Sequence, residues 1–325
     1  VTAAVSQTLA EAINGALHQV MEDDGSVVLI GQDIGRLGGV FRVTKGLHER
    51  FGDERVRDAL LAESTIVGQA IGMSLAGLRP VCEIQFEGFV YPAMNQIVTQ
   101  AARMTTRWND AQPCPLVVRV PIGGGIRAVE HHSESNEAHF AHTPGLTVAY
   151  PSSPDDAALM LRHACELDSP VVFFEPKRLY WKRSRQHRDP ATGSVHGART
   201  LRTGTDVTIA GYGAVLEDVL AAADRVAGAV DVEVIDMRWI APMDVDTVLA
   251  SVARTGRLLV VHEAIGYAGV GAEIVATVAE RGWHLLRTPV RRLAPERRVY
   301  PPADHEKDYL VGPSDIIATV EEMCA

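Results

Sequence analysis

Apolar residues recur at helical spacing over residues 8–21, then give way to a short unbroken run at 27–30 that ends in Gly31-Gln32-Asp33 and a glycine-rich stretch from Gly35 to Gly39. A period near 3.6, then a strand-length apolar block, then glycine predicts helix, strand and loop in that order. The alternation continues with helix at 63–76, strand at 81–86, helix at 93–104 and strand at 116–120, which ends at Pro121. After the turn Gly123-Gly124-Gly125 come strand at 147–150, helix at 154–166 and strand at 171–175. Three more strands are expected at 207–210, 232–235 and 258–262, with helices near 216–227 and 244–253. Strands that alternate with helices predict βα units on mainly parallel sheets, an α/β architecture.

Residues 176–205 break the pattern. They carry Lys177, Arg178, Lys182, Arg183, Arg185 and Arg188 among few apolar residues, which predicts an exposed connection between two domains. A length of 325 residues is enough for two domains with separate cores. The net charge of −10, spread along the chain, argues against a nucleic-acid-binding surface. No apolar run reaches the roughly 20 residues that span a bilayer, so no membrane association is expected. Residues 1–20 lack a basic leader and a cleavage pattern. Cys82, Cys114, Cys165 and Cys324 lie far apart, as reduced thiols do. Both features predict a cytoplasmic protein, or a mitochondrial matrix protein if a presequence was removed.

Three segments suggest chemistry. Gly211-Tyr212-Gly213 follows a strand, opens a helix and has Asp231, Glu233 and Asp236 downstream, like a dinucleotide fingerprint. Leu216 stands at the third glycine position and would obstruct close helix packing, so a tight strand-to-helix turn is the better reading. His131, His132, His139 and His142 lie within twelve residues, but their spacing fits no zinc pattern. A surface loop with a substrate-facing histidine fits better. The third is Glu63, a lone carboxylate ahead of a helix of apolar and small residues, which in isolation reads as a dipole-compensating residue.

Several blocks in order change that reading: GGVFRVTKGL, LLAESTIVGQAIGMSLAGLRPVCEIQF, NQIVTQAAR, GGGIRAVEHHSES, HTPGL and FFEPKRLY. They resemble the beta subunits of the decarboxylating component of 2-oxo acid dehydrogenase complexes, in the transketolase-like group. DVTIAGYG, EVIDMRWIAPMDVDTV and TGRLLVVHEA resemble the C-terminal domain of that family. The resemblance implies a pyrimidine-binding transketolase-like domain at 1–183, a linker at 184–204 and a transketolase C-terminal-like domain at 205–325.

It also implies thiamine diphosphate as cofactor. Glu63 would hydrogen-bond the aminopyrimidine N1′, in an apolar setting of Leu61, Ile66 and Val67 that raises its proton affinity. Phe89 would pack on the pyrimidine face, with Leu61 and Gln85 beside the cofactor. His132 would assist transfer of the acyl group to lipoyl. The chain has no GDG motif, by which the family holds the diphosphate through magnesium. The site is therefore expected to be completed by an alpha subunit in an alpha/beta heterotetramer, with a lipoyl-bearing dihydrolipoyl acyltransferase as further partner. Structural potassium on backbone carbonyls near Leu116 and Ala164 is a further implication.

The chain departs from the family pattern at Ala59-Leu60, where Thr-Pro is usual, and at Glu134, where glutamine is usual. Glu134 and Glu130 add negative charge near the mouth, which would repel an anionic 2-oxo acid unless Arg127 or the partner offsets it. Residues 293–309 also diverge, in a region that lies near the acyltransferase-docking end in relatives. Branched-chain 2-oxo acids are the favoured substrates, with pyruvate and acetoin as alternatives. A single-chain transketolase-like synthase would need its own diphosphate motif, a nicotinamide oxidoreductase is opposed by Leu216, and a non-catalytic assembly partner by the presence of Glu63, Phe89 and His132 together.

Overall fold

A computed structural model describes residues 6–109, 111–183 and 195–325. Its strands are β1 (Val27–Gly31), β2 (Val56–Asp58), β3 (Arg79–Glu83), β4 (Val117–Ile122), β5 (Thr147–Ala149), β6 (Val171–Pro176), β7 (Arg199–Arg202), β8 (Val207–Gly211), β9 (Val232–Asp236), β10 (Trp239–Ala241), β11 (Leu258–Val261) and β12 (Arg291–Leu293). They form two sheets, ordered β10-β5-β6-β4-β3-β1-β2 and β12-β11-β8-β9-β7. Pairing is parallel throughout except where β10 meets β5 and β7 meets β9.

Parallel strands need cover on both faces, and the alternation of side chains supplies it. Val117, Val171 and Phe173 pack toward helices Leu9–Asp23 and Pro154–Glu166. Their neighbours Val118, Val172 and Phe174 pack toward helix Glu63–Leu75. In the second sheet Val207, Ile209, Val232 and Val234 meet helices Val215–Val226 and Pro313–Cys324. Helix Leu9–Asp23 starts at a capping box, in which the Thr8 hydroxyl accepts the Glu11 amide at 3.2 Å and the Glu11 carboxylate accepts the Thr8 amide at 2.8 Å.

Four expectations change. The two cores are not separate, because one buried cluster runs from Ile66 and Val118 through Tyr150 and Tyr212 to Val248 and Val260. In addition β10, from the second half of the chain, extends the first sheet. The basic segment at 176–205 is not uniformly exposed: Lys177, Leu179 and Tyr180 are buried, and β7 pairs with β9. The residues at 184–194, with Arg185 and Arg188, lie outside the described residues. Finally, β3 ends at Glu83; Ile84 still donates to the Arg119 carbonyl at 3.0 Å, and beyond it the chain turns into a 3-10 helix at Glu87–Phe89. The helix expected at 93–104 is a composite, Val90–Met94 and Ala102–Arg107 around a π-helical stretch at Asn95–Ala101, a form that often marks functional surfaces.

Candidate active site

From β1 the chain passes to β2 on one side, and β3 lies on the other, so the sheet reverses direction between β1 and β3. Ligands of open α/β sheets bind in the crevice beyond the carboxyl ends of the strands at such a point. Here β1 ends at Gly31 and leads into Gln32 and Asp33, the latter with φ 57°. Past the end of β3, the Gln85 amide bridges the crevice, donating to the Gln32 carbonyl at 3.3 Å and the Asp33 carboxylate at 3.4 Å. At the end of β2, Asp58 accepts the Gly35 amide at 2.6 Å and so anchors the glycine-rich loop. That loop continues to Thr44, whose hydroxyl donates to the Ile34 carbonyl at 2.7 Å.

The chain after β2 carries Leu60 and Leu61, 87% and 73% exposed, and then Glu63 in the first turn of helix Glu63–Leu75. Glu63 is half-buried, and among the described residues no donor or cation engages its carboxylate. The expected apolar setting is therefore incomplete within this chain: Ile66 and Val67 face the core and Leu61 faces solvent.

Phe89 and His132 are brought together. Their rings meet edge to face at 5.4 Å, and Phe86 lies against His132 at 4.0 Å. His131 adds a third contact, 4.3 Å from His132. Gly88 makes this approach possible, since a methyl group there would overlap the His131 carbonyl. His132 Nε2 is buried and has no hydrogen-bond partner among the described residues. Burial, then His131 and Lys177, hold the His132 imidazole below its ordinary protonation range, with Glu130 opposing. Under this cluster Lys177 forms a fully buried ion pair with Glu87. Burial pushes the Glu87 carboxyl up to about 7 against the attraction of Lys177.

The strand ends are held by a second buried group. Arg119 of β4 binds Glu175 at 2.6 and 2.9 Å and Glu83 at 2.8 Å, and the Tyr180 hydroxyl donates to Glu175 at 2.5 Å.

The other carboxylates serve the seam between the sheets. Glu263 accepts the Gly124 amide, and Glu306 accepts the amides of Gly125 and Arg127 at 3.0 and 3.2 Å and the Tyr300 hydroxyl at 2.9 Å. Tyr212 donates to buried Glu137 at 2.8 Å, and its ring stacks on buried His262. The Gly-Tyr-Gly turn thus packs one half of the chain against the other, with Leu216 inside the core. Tyr300 and Tyr309, in the divergent region at 293–309, are buried at the same seam, whereas Val299 is 74% exposed. Arg127 pairs with Asp304 at 2.9 Å, and the His131 ring meets the Glu130 carboxylate at 3.3 Å.

A cavity of about 1260 Å³ opens along this seam, lined by Tyr91, Met94, His139, Met243, Tyr267 and Tyr309 among others. None of Leu61, Glu63, Gln85, Phe89 or His132 lines it, although Glu134 and Ser135 do. Among the described residues no three His, Cys, Asp or Glu side chains are grouped to hold a metal. The Leu116 carbonyl accepts the Val171 amide at 2.8 Å and keeps a second lone pair. Cys82, Cys114, Cys165 and Cys324 are free thiols, and among the described residues no helix is long and apolar enough to cross a membrane. Sequence reasoning missed Glu87, Glu137 and Lys177. Polar residues directly after apolar strands, as at Glu175-Pro176-Lys177, were the available signal.

The fold and the switch-point site define a transketolase-type protein. The chain matches the family "Transketolase, pyrimidine binding domain" over residues 6–182 and "Transketolase, C-terminal domain" over 196–316. A solved structure titled "Split gene transketolase, inactive beta4 tetramer" superposes with a TM-score of 0.81 at 20% identity, over 99% of both chains. Closer in sequence is the pyruvate dehydrogenase E1 component subunit beta of Leifsonia xyli, 44% identical over 98% of this chain and 95% of the relative. The 3-methyl-2-oxobutanoate dehydrogenase subunit beta of Mycobacterium tuberculosis is 43% identical over 98% and 92%. The chain belongs to the family of beta subunits of the thiamine-dependent 2-oxo acid dehydrogenases.

Proposed function

We propose that this chain supplies the aminopyrimidine half of a thiamine diphosphate site and takes part in oxidative decarboxylation of a 2-oxo acid, with transfer of the acyl group to lipoyl. The observation that carries the reading is the Glu63 carboxylate, which lies beside exposed Leu60 and Leu61 at the carboxyl edge of the sheet and is engaged by no donor among the described residues. Such a carboxylate is open to a ligand. A pyrimidine nitrogen that shares its proton satisfies this one, and Leu60 and Leu61 are apolar surface for a covering subunit.

When bound, thiamine diphosphate supplies the carbon nucleophile and the electron sink for decarboxylation. Glu63 holds a proton at N1′, Gln85 borders the ring, and Phe89 offers a flat apolar wall that keeps water away. His132, whose Nε2 is buried and free, delivers a proton to the lipoyl sulfur as its disulfide opens. Its depressed protonation range makes its imidazolium the stronger acid. The diphosphate and its magnesium fall to an alpha subunit in a heterotetramer, and the lipoyl group to a dihydrolipoyl acyltransferase. Branched-chain 2-oxo acids are the proposed substrates, supported by the Glu83-Ile84-Gln85-Phe86 and His131-His132-Ser133 blocks. Pyruvate competes on equal terms among relatives, whose names cover both.

The test is co-expression with an alpha subunit and assay on pyruvate, branched 2-oxo acids and acetoin. Glu63→Gln is expected to keep the assembly and lower turnover by about 10²–10⁴-fold. Turnover near that of the unaltered enzyme, or tight thiamine diphosphate binding by this chain alone, would refute the half-site.

A further inference from the structure

We propose that the buried Lys177–Glu87 ion pair is a positioning pair, which locks the turn bearing Phe89 and the loop bearing His132 into one fixed arrangement. The inference rests on the functional reading above for what His132 does, but not for how it is held. Lys177 follows β6 directly and is 2% exposed, and Glu87, at 0%, opens the 3-10 helix that ends in Phe89. Lys177 Nζ donates to the Glu87 carboxylate, approaches the Pro121 carbonyl of β4 at 3.5 Å and lies 5.8 Å from the centre of the Phe86 ring.

Two of those partners lead to the site. Phe86 is the ring on which His132 lies. The Glu87 carbonyl accepts the Asn136 side-chain amide at 3.1 Å, which ties the far end of the histidine loop to the Phe89 turn. Gly88 brings the His131 backbone onto the same turn. Lys177 is thus fastened to β6 and β4 on one side and to both functional loops on the other. A well-packed apolar pair of similar volume would stabilise such a spot as well or better. What an ion pair adds is direction, and a charge that His132 feels.

The charged groups facing His132 are His131, Lys177 and Glu130, and those facing Glu87 are Lys177 and Glu263. With Glu87 titrating near 7, its charge only partly cancels that of Lys177 around neutrality. Lys177 thus acts on His132 directly, and Glu87 acts by offsetting the charge of Lys177.

The experiment uses the holoenzyme assembled with an alpha subunit. Deuterium exchange at the imidazole C2 carbon, followed by mass spectrometry across pH, reads the protonation midpoint of His132 without turnover. Glu87→Gln is expected to lower that midpoint by ~0.5 unit, and the double variant Lys177→Met with Glu87→Gln to raise it by ~0.5 unit. In the double variant kcat for lipoyl reduction is expected to fall about tenfold or more, with KM for the 2-oxo acid changed less than about threefold. Variants that keep the wild-type melting temperature, midpoint and kcat would overturn the proposal. Should the double variant fail to assemble, Glu87→Gln alone decides, since a midpoint that stays or rises contradicts it. Midpoints that move as expected while lipoyl reduction does not follow would leave the pair in place and remove His132 from the acyl step.

Discussion

The crevice beyond β1 and β3 and the seam between the two sheets both tie a carboxylate to a glycine amide, Asp58 to Gly35 in one and Glu263 to Gly124 in the other, yet the crevice also holds a carboxylate that nothing in the described chain engages. At the seam every glycine of the Gly123–Gly125 turn abuts a side chain, and Glu263 and Glu306 are engaged by backbone amides. In the crevice no donor among the described residues reaches Glu63, and Leu60 and Leu61 lie in solvent. A carboxylate with its hydrogen bonds made inside the chain is part of the fold. One without them beside exposed apolar surface belongs to a site finished by something else.

The sharpest way to break this contrast is to remove one charge whose partners lie inside the chain and one that has none among the described residues. Arg119→Met strands Glu83 and Glu175, both buried, and should lower unfolding free energy by ~3–5 kcal/mol in urea. Glu63→Gln should change the same measurement by less than ~0.5 kcal/mol while it abolishes most turnover. A comparable loss of stability from both would erase the distinction.

The seam also has a pH signature. Burial pushes the Glu137 carboxyl from its ordinary value of 4.5 up to about 7. The folded chain then binds more protons than the unfolded one between those values, so this stabilisation is full below pH 4.5 and is lost as pH rises through 7. The shift corresponds to at most ~3 kcal/mol. Glu137→Gln keeps the hydrogen bond from Tyr212 and cannot ionise. Its melting temperature, measured from pH 5 to 8, should fall less steeply than that of the unaltered chain, and an unchanged slope would remove Glu137 as the source.

A smaller effect sharpens the reading of the glycines. A methyl group on Gly124 overlaps the Tyr300 hydroxyl, so Gly124→Ala should destabilise by ~1–3 kcal/mol. Combining it with Tyr300→Leu should recover part of that loss, because the obstacle is removed. Full additivity of the two losses would place the strain elsewhere.

The central parallel strands were legible in the sequence because they are buried on both faces and read as apolar runs, as at Val27–Gly31 and Leu258–Val261. The strand β7 was not, since Arg199–Arg202 is a half-exposed edge whose arginines mask any alternation. Nor was the passage of β10 into the first sheet, because a three-residue antiparallel pairing with β5 leaves no periodicity to detect. At the candidate site, Glu63, Phe89 and His132 were singled out through motif resemblance. Lys177 was placed among exposed linker residues because a lysine's burial depends on a partner ninety positions away, Glu87, which no local pattern reveals.

The gentlest perturbation asks whether the crevice is unfinished or merely exposed. Leu61→Ser exchanges an apolar side chain that is already 73% exposed, so the chain alone should unfold within ~0.5 kcal/mol of the original. Ile66→Ser, five residues on and 2% exposed, is the internal control and should lose several times more. In the assembled enzyme the order is expected to change: Leu61→Ser should weaken thiamine diphosphate binding severalfold, measured by titration of the apoenzyme, because the surface it removes is buried only there. If Leu61→Ser left the assembled enzyme's cofactor affinity intact, the leucine would be ordinary exposed surface. The claim that the crevice awaits a second wall would then rest on Glu63 alone.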